Sequence, residues 1–294
     1  MIHDESVEKY LVSLYKSGLN LRQIAKITQR EREGIRLILK RRGTPMRFRG
    51  VKYRRLAEYS IEEKTALAKL LGYLFGDGSI SRNKDGRYEC SLSFALDEKE
   101  FVEDIKKITE LLFHFAPKIK IENKNCFRIL LRRSVARYLH RECRYPIGKK
   151  SVVNPRAPAW IMESESEVKA SFVKWFLNAE ASITDESIKI RQATRIFPPR
   201  DVINRLRQAA RIRVASRYSY YSLSWRIGKS LCKPYIRPSN ILIDFQELLR
   251  RFQVMGKIYS YWIWISQTSD DVSIHYELNL SKRQAERLIN LISL

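Results

Sequence analysis

Hydrophobic positions early in the chain change from helical spacing to strict alternation and back again. Residues 61–76 carry apolar side chains at the i, i+3, i+4 spacing of a helix with one buried face. Residues 79–96 then alternate apolar and polar side chains around a Lys-Asp-Gly turn, which is the pattern of a β-hairpin. A helical pattern over 97–115, a second hairpin over 118–133 and a helix over 134–143 follow. The pattern predicts the order helix, hairpin, helix, hairpin, helix.

The same order of elements recurs about a hundred residues later. A helix over 165–181 comes before a hairpin over 182–194 and a helix over 199–212. Two further strands over 214–228 and a helix over 241–252 complete the second copy. We therefore expect an α+β fold made of tandem pseudo-twofold αββαββα repeats with antiparallel sheets.

The end of the chain follows the two copies as an aromatic strand and a helix. The run Tyr259–Trp264 is typical of a buried strand or of a strand that docks the tail, and the alternative is a platform on which bases stack. The predicted domain boundaries are residues 1–50 for an N-terminal unit with a basic linker, 51–160 and 161–265 for the two halves, and 266–294 for a C-terminal tail helix.

Three short helical patterns occupy the start of the chain. The second and third are separated by a tight turn, and the third is basic. This arrangement resembles a helix-turn-helix of the resolvase-like kind, in which the last helix enters the major groove. The alternative is a basic three-helix cap that does not read DNA. The candidate DNA-binding residues of this unit are Arg30, Arg32, Arg36 and Lys40.

The net charge favours a polyanionic partner. The 294 residues include 56 Lys+Arg and 32 Asp+Glu, a formal net charge of +24. Nucleic acid is the expected partner and a membrane is not, because no basic amphipathic helix stands apart from the rest. The sequence has no signal-peptide pattern, and its four scattered cysteines form no CxxC pair. We expect a protein that is not secreted and that acts in the cytoplasm, or in an organelle matrix or nucleoid.

Each copy opens with a hydrophobic helix that ends in an acid between small residues. The first reads LLGYLFGDG, with Asp77 as the acid, and the second reads VKWFLNAEA, with Glu180 as the acid. These two segments resemble the motif of the LAGLIDADG homing endonucleases, and the resemblance extends over residues 61–265. It implies a metal-dependent nuclease with one acid for each DNA strand.

The resemblance also implies which residues form the catalytic centre. Mg²⁺ or Mn²⁺ would lie between the two acids and the scissile phosphates. A lysine in each half would support the transition state. The implied metal site consists of Asp77, Glu180, Gly76 and Ala179. The implied catalytic lysines are Lys149 or Lys150 in the first half and Lys257 in the second. The alternative is that both acids merely end or cap their helices.

In this family each half presents a twisted, saddle-shaped antiparallel sheet to the major groove. Arg and Lys recur at alternate strand positions in both halves of this sequence, although a solvated charged face is the alternative for any single residue. The implied DNA-binding residues of the first half are Arg82, Lys84, Arg87, Lys118, Lys120, Arg128 and Arg132. Those of the second half are Lys189, Arg191, Arg195, Arg217, Tyr218, Tyr220 and Arg226.

The second copy departs from the family motif at three positions. Trp175 replaces a small residue where the two helices are expected to cross, and Asn178 and Ala181 also differ. An indole at a close crossing either pushes the backbones apart or rotates outward. Cleavage is then impaired, reduced to nicking of one strand, or lost, because metal-site geometry is sensitive to shifts near 1 Å.

These features together predict a monomeric, site-specific endonuclease that hydrolyses double-stranded DNA. A non-catalytic, DNA-binding transcription regulator built on the same scaffold is the first alternative, and an intron maturase that binds RNA is the second. The prediction requires Asp77 and Glu180 to meet across a central two-helix seam, with their carboxyl groups within about 10 Å of each other.

Overall fold

The structure is a computed structural model that describes residues 5–17, 19, 21–44, 53–122, 125–210, 212–213 and 220–292, with Ile212, Arg213 and Tyr220 described by their backbone alone. The chain divides into two compact units, Met1–Lys52 and Tyr53–Leu294. We call them unit one and unit two. Among the described residues, none of the helices combines the length and the apolar character needed to cross a bilayer.

Unit one contains three helices packed around a small apolar core. The helices are α1 (Glu5–Lys16), α2 (Leu21–Thr28) and α3 (Arg32–Arg41). Leu11, Ile24 and Leu39 are fully buried between them. Glu8 is also buried, and it accepts hydrogen bonds from Arg41 and, at 2.6 Å, from Arg42. The end of α3 is therefore tied to α1 by charge as well as by apolar contact.

The first half of unit two folds as the alternating pattern predicts. Its elements are α4 (Ile61–Gly76), β1 (Gly78–Arg82), β2 (Tyr88–Ala95), α5 (Lys99–Phe113), β3 (Lys118–Glu122), β4 (Cys126–Leu131) and α6 (Arg133–Arg141). Ser60 begins α4 with a capping box, because its hydroxyl accepts from the Glu63 amide and Glu63 accepts from the Ser60 amide. The strands form an antiparallel sheet in the order β1-β2-β4-β3.

Two short helices and the second half follow. The elements are α7 (Lys150–Val153), α8 (Ala159–Glu163), α9 (Ser166–Glu180), β5 (Ala181–Thr184), β6 (Ser187–Ile196), α10 (Arg200–Ala209), β7 (Ile212–Arg213), β8 (Tyr220–Ser224), α11 (Trp225–Cys232), α12 (Asn240–Arg251), β9 (Lys257–Ser266), β10 (Val272–Ser281) and α13 (Lys282–Ile292). The six strands form one sheet in the order β5-β6-β10-β9-β8-β7. The α+β class with antiparallel sheets is confirmed.

The second sheet differs from the first because the hairpin β9-β10 lies in its middle. β10 pairs with β6 from Val272↔Ile196 to Ser281↔Ser187, and β9 pairs with β8 on its other side. Ile263, Ile274 and Leu278 of this hairpin are fully buried. The predicted tail helix over 266–294 is therefore wrong for its first part, since residues 272–281 form an interior strand and α13 begins only at Lys282.

A close crossing of α4 and α9 joins the two halves. A Cβ on Gly72 would lie 2.9 Å from the Phe172 carbonyl oxygen and 2.9 Å from the Phe176 nitrogen, so only glycine allows this approach. Trp175 does not keep the helices apart, although it lies at the crossing: its Cβ is 3.0 Å from a Cβ built on Gly72, and its indole packs along α4. The indole centroid lies 4.9 Å from that of the Tyr73 ring, and the Lys69 ammonium lies 3.7 Å from the indole. One continuous core of buried residues runs through both halves.

Candidate functional site

The two acids of the motif lie at the carboxyl ends of the crossing helices. Asp77 caps α4, with its amide donating to the Tyr73 carbonyl at 2.9 Å, and Glu180 is the last residue of α9. A Cβ built on Gly76 would lie 3.3 Å from Glu180 Cγ and would collide with Ala179. The helix ends are thus in contact, and each acid comes directly before the first strand of its sheet.

Lys150 reaches between these helix ends. Its ammonium donates to the Phe75 carbonyl at 2.8 Å and to the Gly76 carbonyl, and it lies 3.8 Å from Glu180 Oε1. The segment before Lys150 is fixed to the same place, because the Tyr145 hydroxyl donates to the Leu74 carbonyl at 2.7 Å. A positive charge is therefore held among oxygens from both halves.

Burial governs the electrostatics of this site. Burial raises the pKa of Asp77 to about 6, although part of the side chain is exposed; Lys150 opposes the increase and Glu98 adds to it. Burial likewise raises the pKa of Glu180 to about 7, with Lys150 opposing and Asp77 adding to the change. Burial lowers the pKa of Lys150, and the two acids oppose that decrease. Two carboxylates and one ammonium thus share a partly dry space.

The donor set fits a divalent cation that a substrate helps to hold. Two carboxylates and the Gly76 carbonyl are hard oxygen ligands, and Mg²⁺ commonly takes one or two carboxylates and completes its shell with water and phosphate oxygens. The Lys150 ammonium already occupies such a cation position. Within the described residues no group of three or more His, Cys, Asp or Glu side chains forms a complete protein cage.

Gln192 is a member of this site that sequence reasoning missed. Its side-chain amide lies near Glu180 and favours the carboxylate, which opposes the increase in the pKa of Glu180. Gln192 lies on β6 opposite Tyr276, on the face that the helices cover. Only the alternation of β6, with Ile190 and Ile188 buried two and four residues earlier, signals that Gln192 points toward α9.

The other two predicted lysines lie elsewhere. Lys149 is exposed at the start of α7. Lys257 is also exposed, and it shares one row of the sheet with Asn279, Lys189 and Ser182. Three strand spacings separate Lys257 from Ser182, about 14 Å. The prediction of Lys257 beside the acids is therefore wrong, because the row of strands puts it away from the seam.

The first sheet exposes a polar face that carries three predicted cations. Lys120 pairs with Arg128 and Arg128 with Ser93, so these side chains share one face, as does Lys118 two residues away. We call this the first open face, and its other members include Ser79, Ser81 and Ser91. Arg128 forms an ion pair with Glu122 at 2.7 Å. This face is open to a polyanion.

The remaining cations of the first half lie at the edges of its sheet. Lys84 and Arg87 are exposed in the turn between β1 and β2, and Arg87 lies 3.5 Å from Asp85. Arg132 stacks over the Phe115 ring at 4.6 Å.

Arg82 lies on the opposite face from the one predicted. It is two and four residues from Ile80 and Gly78, which are buried, and it pairs with buried Tyr88. Its guanidinium donates to the Tyr88 hydroxyl at 2.6 Å and stacks over that ring. The period of two along the strand therefore assigns Arg82 to the helix-covered side.

The second sheet also has an open face, and it carries more than cations. Lys189, Arg191 and Arg195 alternate along β6 opposite the buried positions, as predicted. Arg191 forms an ion pair with Glu277 at 2.9 Å, and Arg195 one with Asp271 at 3.0 Å. We call this the second open face, and its other members include Lys257, Tyr259 and Trp262 on β9. The two acidic partners partly neutralise it.

The last predicted residues of the second half have different outcomes. Arg226 was expected on a strand but lies on α11, which packs against the helix-covered face through Gly228 near Ile263 and Leu223. Its prediction as a sheet residue is wrong, since the segment from Trp225 has a helical apolar face. Arg217 and Tyr218 lie outside the described residues, as does the side chain of Tyr220.

Unit one places its predicted cations along one exposed stripe. Arg32, Arg36 and Lys40 are four residues apart on α3 and exposed, and Arg30 lies in the turn before it. The Arg36 guanidinium donates to Glu33 at 2.9 Å. The stripe is compatible with a phosphate backbone or a groove.

Comparison with known proteins gives the following matches. Residues 64–142 match the family model described as the LAGLIDADG-like domain. No curated protein matches the chain.

Among solved structures, I-DmoI in complex with DNA and Mn shares 13% identity over 78% of this chain and 97% of that one, at a TM-score of 0.45. Mesophilic variants of the homing endonuclease I-DmoI share 14% identity over 78% of this chain and 90% of that one, at a TM-score of 0.43. Full-length DUF199/WhiA from Thermatoga maritima shares 9% identity over 80% of this chain and 57% of that one, at a TM-score of 0.38.

Proposed function

We propose that this chain, whose residues 64–142 form a LAGLIDADG-like domain, is a site-specific endonuclease that hydrolyses double-stranded DNA with Mg²⁺ or Mn²⁺. The observation that carries the proposal is the meeting of Asp77 and Glu180 at the ends of α4 and α9, with the Gly76 backbone against Glu180. Each acid serves one strand of the duplex.

The residues of the site have separate tasks. When bound, the divalent ion supplies Lewis-acid stabilisation of the phosphate and a more acidic water. Asp77 and Glu180 hold that ion with the Gly76 carbonyl. Gln192 favours the carboxylate form of Glu180, the form that would bind the ion. Lys150 neutralises charge at the helix ends and faces the position that a phosphate approaches.

The two open faces and unit one would position the duplex. Lys118, Lys120 and Lys189 are cations of the kind that contact phosphates and base edges in the major groove. The stripe on α3 adds a helix-turn-helix module. We infer that the protein acts as a monomer, because both acids come from one chain.

The test begins with a library of random-sequence duplexes incubated with Mg²⁺ or Mn²⁺, from which cut ends are recovered and sequenced. On a selected site, Asp77→Asn and Glu180→Gln should each reduce cleavage of at least one strand by about a hundredfold or more. Binding of the duplex should persist in both variants. The control is Asp85→Asn, an exposed acid in the turn after β1, which should cut like the wild type. Unchanged cleavage by Asp77→Asn would contradict the proposal.

A second candidate is a DNA-binding regulator without nuclease activity. The position of Lys150 favours it, because an ammonium on the Phe75 and Gly76 carbonyls competes with a divalent ion for the same oxygens. This candidate predicts tight duplex binding in EDTA and no cut ends with any metal. Cleavage in the library experiment excludes it.

A further inference from the structure

The second open face carries aromatic rings that the first open face lacks. Tyr259 is 48% exposed and Trp262 is 39% exposed, both on β9. The neighbouring positions Ile263 and Ile265 are fully buried on the helix-covered side. The first open face carries serines along its interior strand β2, Ser91 and Ser93 among them, and it has no counterpart of the hairpin β9-β10. The two halves therefore offer different chemistry to a nucleic acid.

The rings lie beside other uncharged aromatic groups. The pairing of β9 with β10 shifts between His275 and Tyr276, where Tyr261 is inserted. The Tyr261 ring lies 6.2 Å from the His275 ring and the Trp264 ring lies 4.3 Å from it. Burial lowers the pKa of His275 to about 4, so this imidazole is neutral at physiological pH. The middle of the face thus carries several aromatic rings, inclined at 72° and 41° to the His275 ring, and the Arg191–Glu277 ion pair lies beside Tyr259.

A cationic groove borders this surface. It has a volume of about 480 Å³ beside Tyr259, and Lys189, Lys257 and Lys282 line it. Glu186 is the acidic residue in its lining. Ser187, Asn279 and Ser281 contribute neutral polar groups. Three ammonium groups beside an exposed ring match the phosphates and bases of one nucleic-acid strand.

We propose that the second open face binds an unpaired DNA strand, with bases stacked on Tyr259 and Trp262 and phosphates in the lysine groove. Bases in a duplex present only their edges, whereas an unpaired base presents the flat surface that a ring on a sheet can stack against. The inference rests on the proposed function only for its choice of DNA, and it adds to the duplex contacts of the second open face a site for a strand that is locally unpaired.

The test measures binding without cleavage, by fluorescence anisotropy of labelled (dT)15 and of a hairpin duplex in EDTA. The double variant Tyr259→Ala/Trp262→Ala should weaken (dT)15 binding by tenfold or more, and duplex binding by less than threefold. Tyr259→Phe/Trp262→Phe should stay within threefold of the wild type, because the rings still stack. Phe197→Ala removes another exposed aromatic ring, which lies in the loop after β6, and should change neither affinity.

Several results would overturn the proposal. The proposal fails if the Ala variant binds (dT)15 like the wild type, or if its affinities for duplex and for (dT)15 fall equally. It also fails if the Phe variant loses affinity for (dT)15 as the Ala variant does. Preference for (rU)15 over (dT)15 by tenfold assigns the face to RNA and also contradicts it. Failure of the endonuclease proposal appears instead as absent cleavage by the wild type, which this assay does not measure. A circular dichroism spectrum of each variant confirms that the fold is retained.

Discussion

Glu180 shows how the position of one residue determines its chemistry. As the last residue of α9 it is largely buried, close to the like charge of Asp77 and at the negative end of a helix dipole. Lys150 and Gln192 reduce the cost of its ionisation without removing it, so its pKa stays near 7. A divalent cation bound between the two carboxylates would remove the rest of this cost.

Replacing Glu180 should therefore change how stability depends on pH in the absence of metal. Between its ordinary pKa of 4.5 and its folded pKa of about 7, the unfolded chain is ionised at this residue and the folded chain is not. Stability is thus lost as pH rises through that window. Between pH 5 and pH 8 in EDTA, the melting temperature of Glu180→Gln should fall by less than that of the wild type. Scanning calorimetry measures this, with exposed Glu186→Gln as the control; identical pH profiles for wild type and Glu180→Gln would contradict it.

Gly72 allows the close approach of the two helices because it has no Cβ atom. Gly72→Ala should lower the free energy of unfolding by about 1–3 kcal/mol, because the new methyl group would meet backbone atoms of Phe172 and Phe176 that cannot move aside. Urea unfolding followed by far-UV circular dichroism measures the change in both units, since all five tryptophans lie in unit two. Gly34→Ala, in a helix with nothing within 4 Å of the new atom, should be neutral or stabilising. Equal effects of the two changes would show that packing at the seam is not the cause.

At the scale of elements, the hairpin β9-β10 determines the architecture of the second half. It separates β6 from β8, which occupy the places of neighbouring strands in the first half. Leu278 and Leu280 pair with Ile190 and Ile188 beneath the helices. The last segment of the chain is therefore part of the core and its strands are in the middle of the sheet.

A truncation tests whether this segment is core or appendage. Ending the chain after Ser266 removes β10 and α13, and it should abolish cooperative unfolding of unit two, because β6 and β9 lose their shared partner strand. Deleting residues 1–52 is the control, since it removes a separate compact unit of greater length and should leave unit two folded. Near-UV circular dichroism and thermal unfolding distinguish the outcomes. A folded, cooperative chain ending at Ser266 would contradict the assignment.

For the whole molecule, the effect of the net charge of +24 on nucleic-acid binding depends on where the charged residues lie. Arg128, Arg191 and Arg195 form ion pairs within unit two, so they are partly neutralised by the protein itself. Lys118, Lys120 and the stripe on α3 are exposed. The net charge already counts the acidic partners of these arginines, so the excess positive charge comes from other basic residues, and both units contribute to it.

Binding of duplex DNA should accordingly weaken steeply with salt. Each phosphate contact changes the slope of log K against log salt by about −0.9. Deleting residues 1–52 removes Arg32, Arg36 and Lys40, so it should make the slope shallower by about 3 and lower the affinity at physiological salt. Anisotropy titrations over a salt series measure both quantities. A slope that the deletion leaves unchanged would show that unit one does not contact DNA.

Sequence reasoning predicted what depends on local pattern. The helix-strand order of the first half, the helices that end at Asp77 and Glu180, and the alternation of Lys118, Lys120 and Arg128 all follow from spacing along the chain. It failed for Arg82, Lys257 and Arg226. The position of Arg82 depends on which face of the strand the helices cover, and that of Lys257 depends on how many strands separate it from the acids. Arg226 lies in a segment whose short apolar pattern fits both a strand and a helix.

The amino-acid order alone determined that the chain contains two similar halves, that each half has a hydrophobic helix ending in a carboxylate, and that the chain carries a large positive charge. Folding in three dimensions decided that Lys150 and Gln192 meet Glu180, that the last hairpin enters the middle of the second sheet, and that Tyr259 and Trp262 remain exposed while Ile263 is buried. The reason is range: periodicity records contacts between residues a few positions apart, whereas strand order and charge clusters arise from pairings across long stretches of chain.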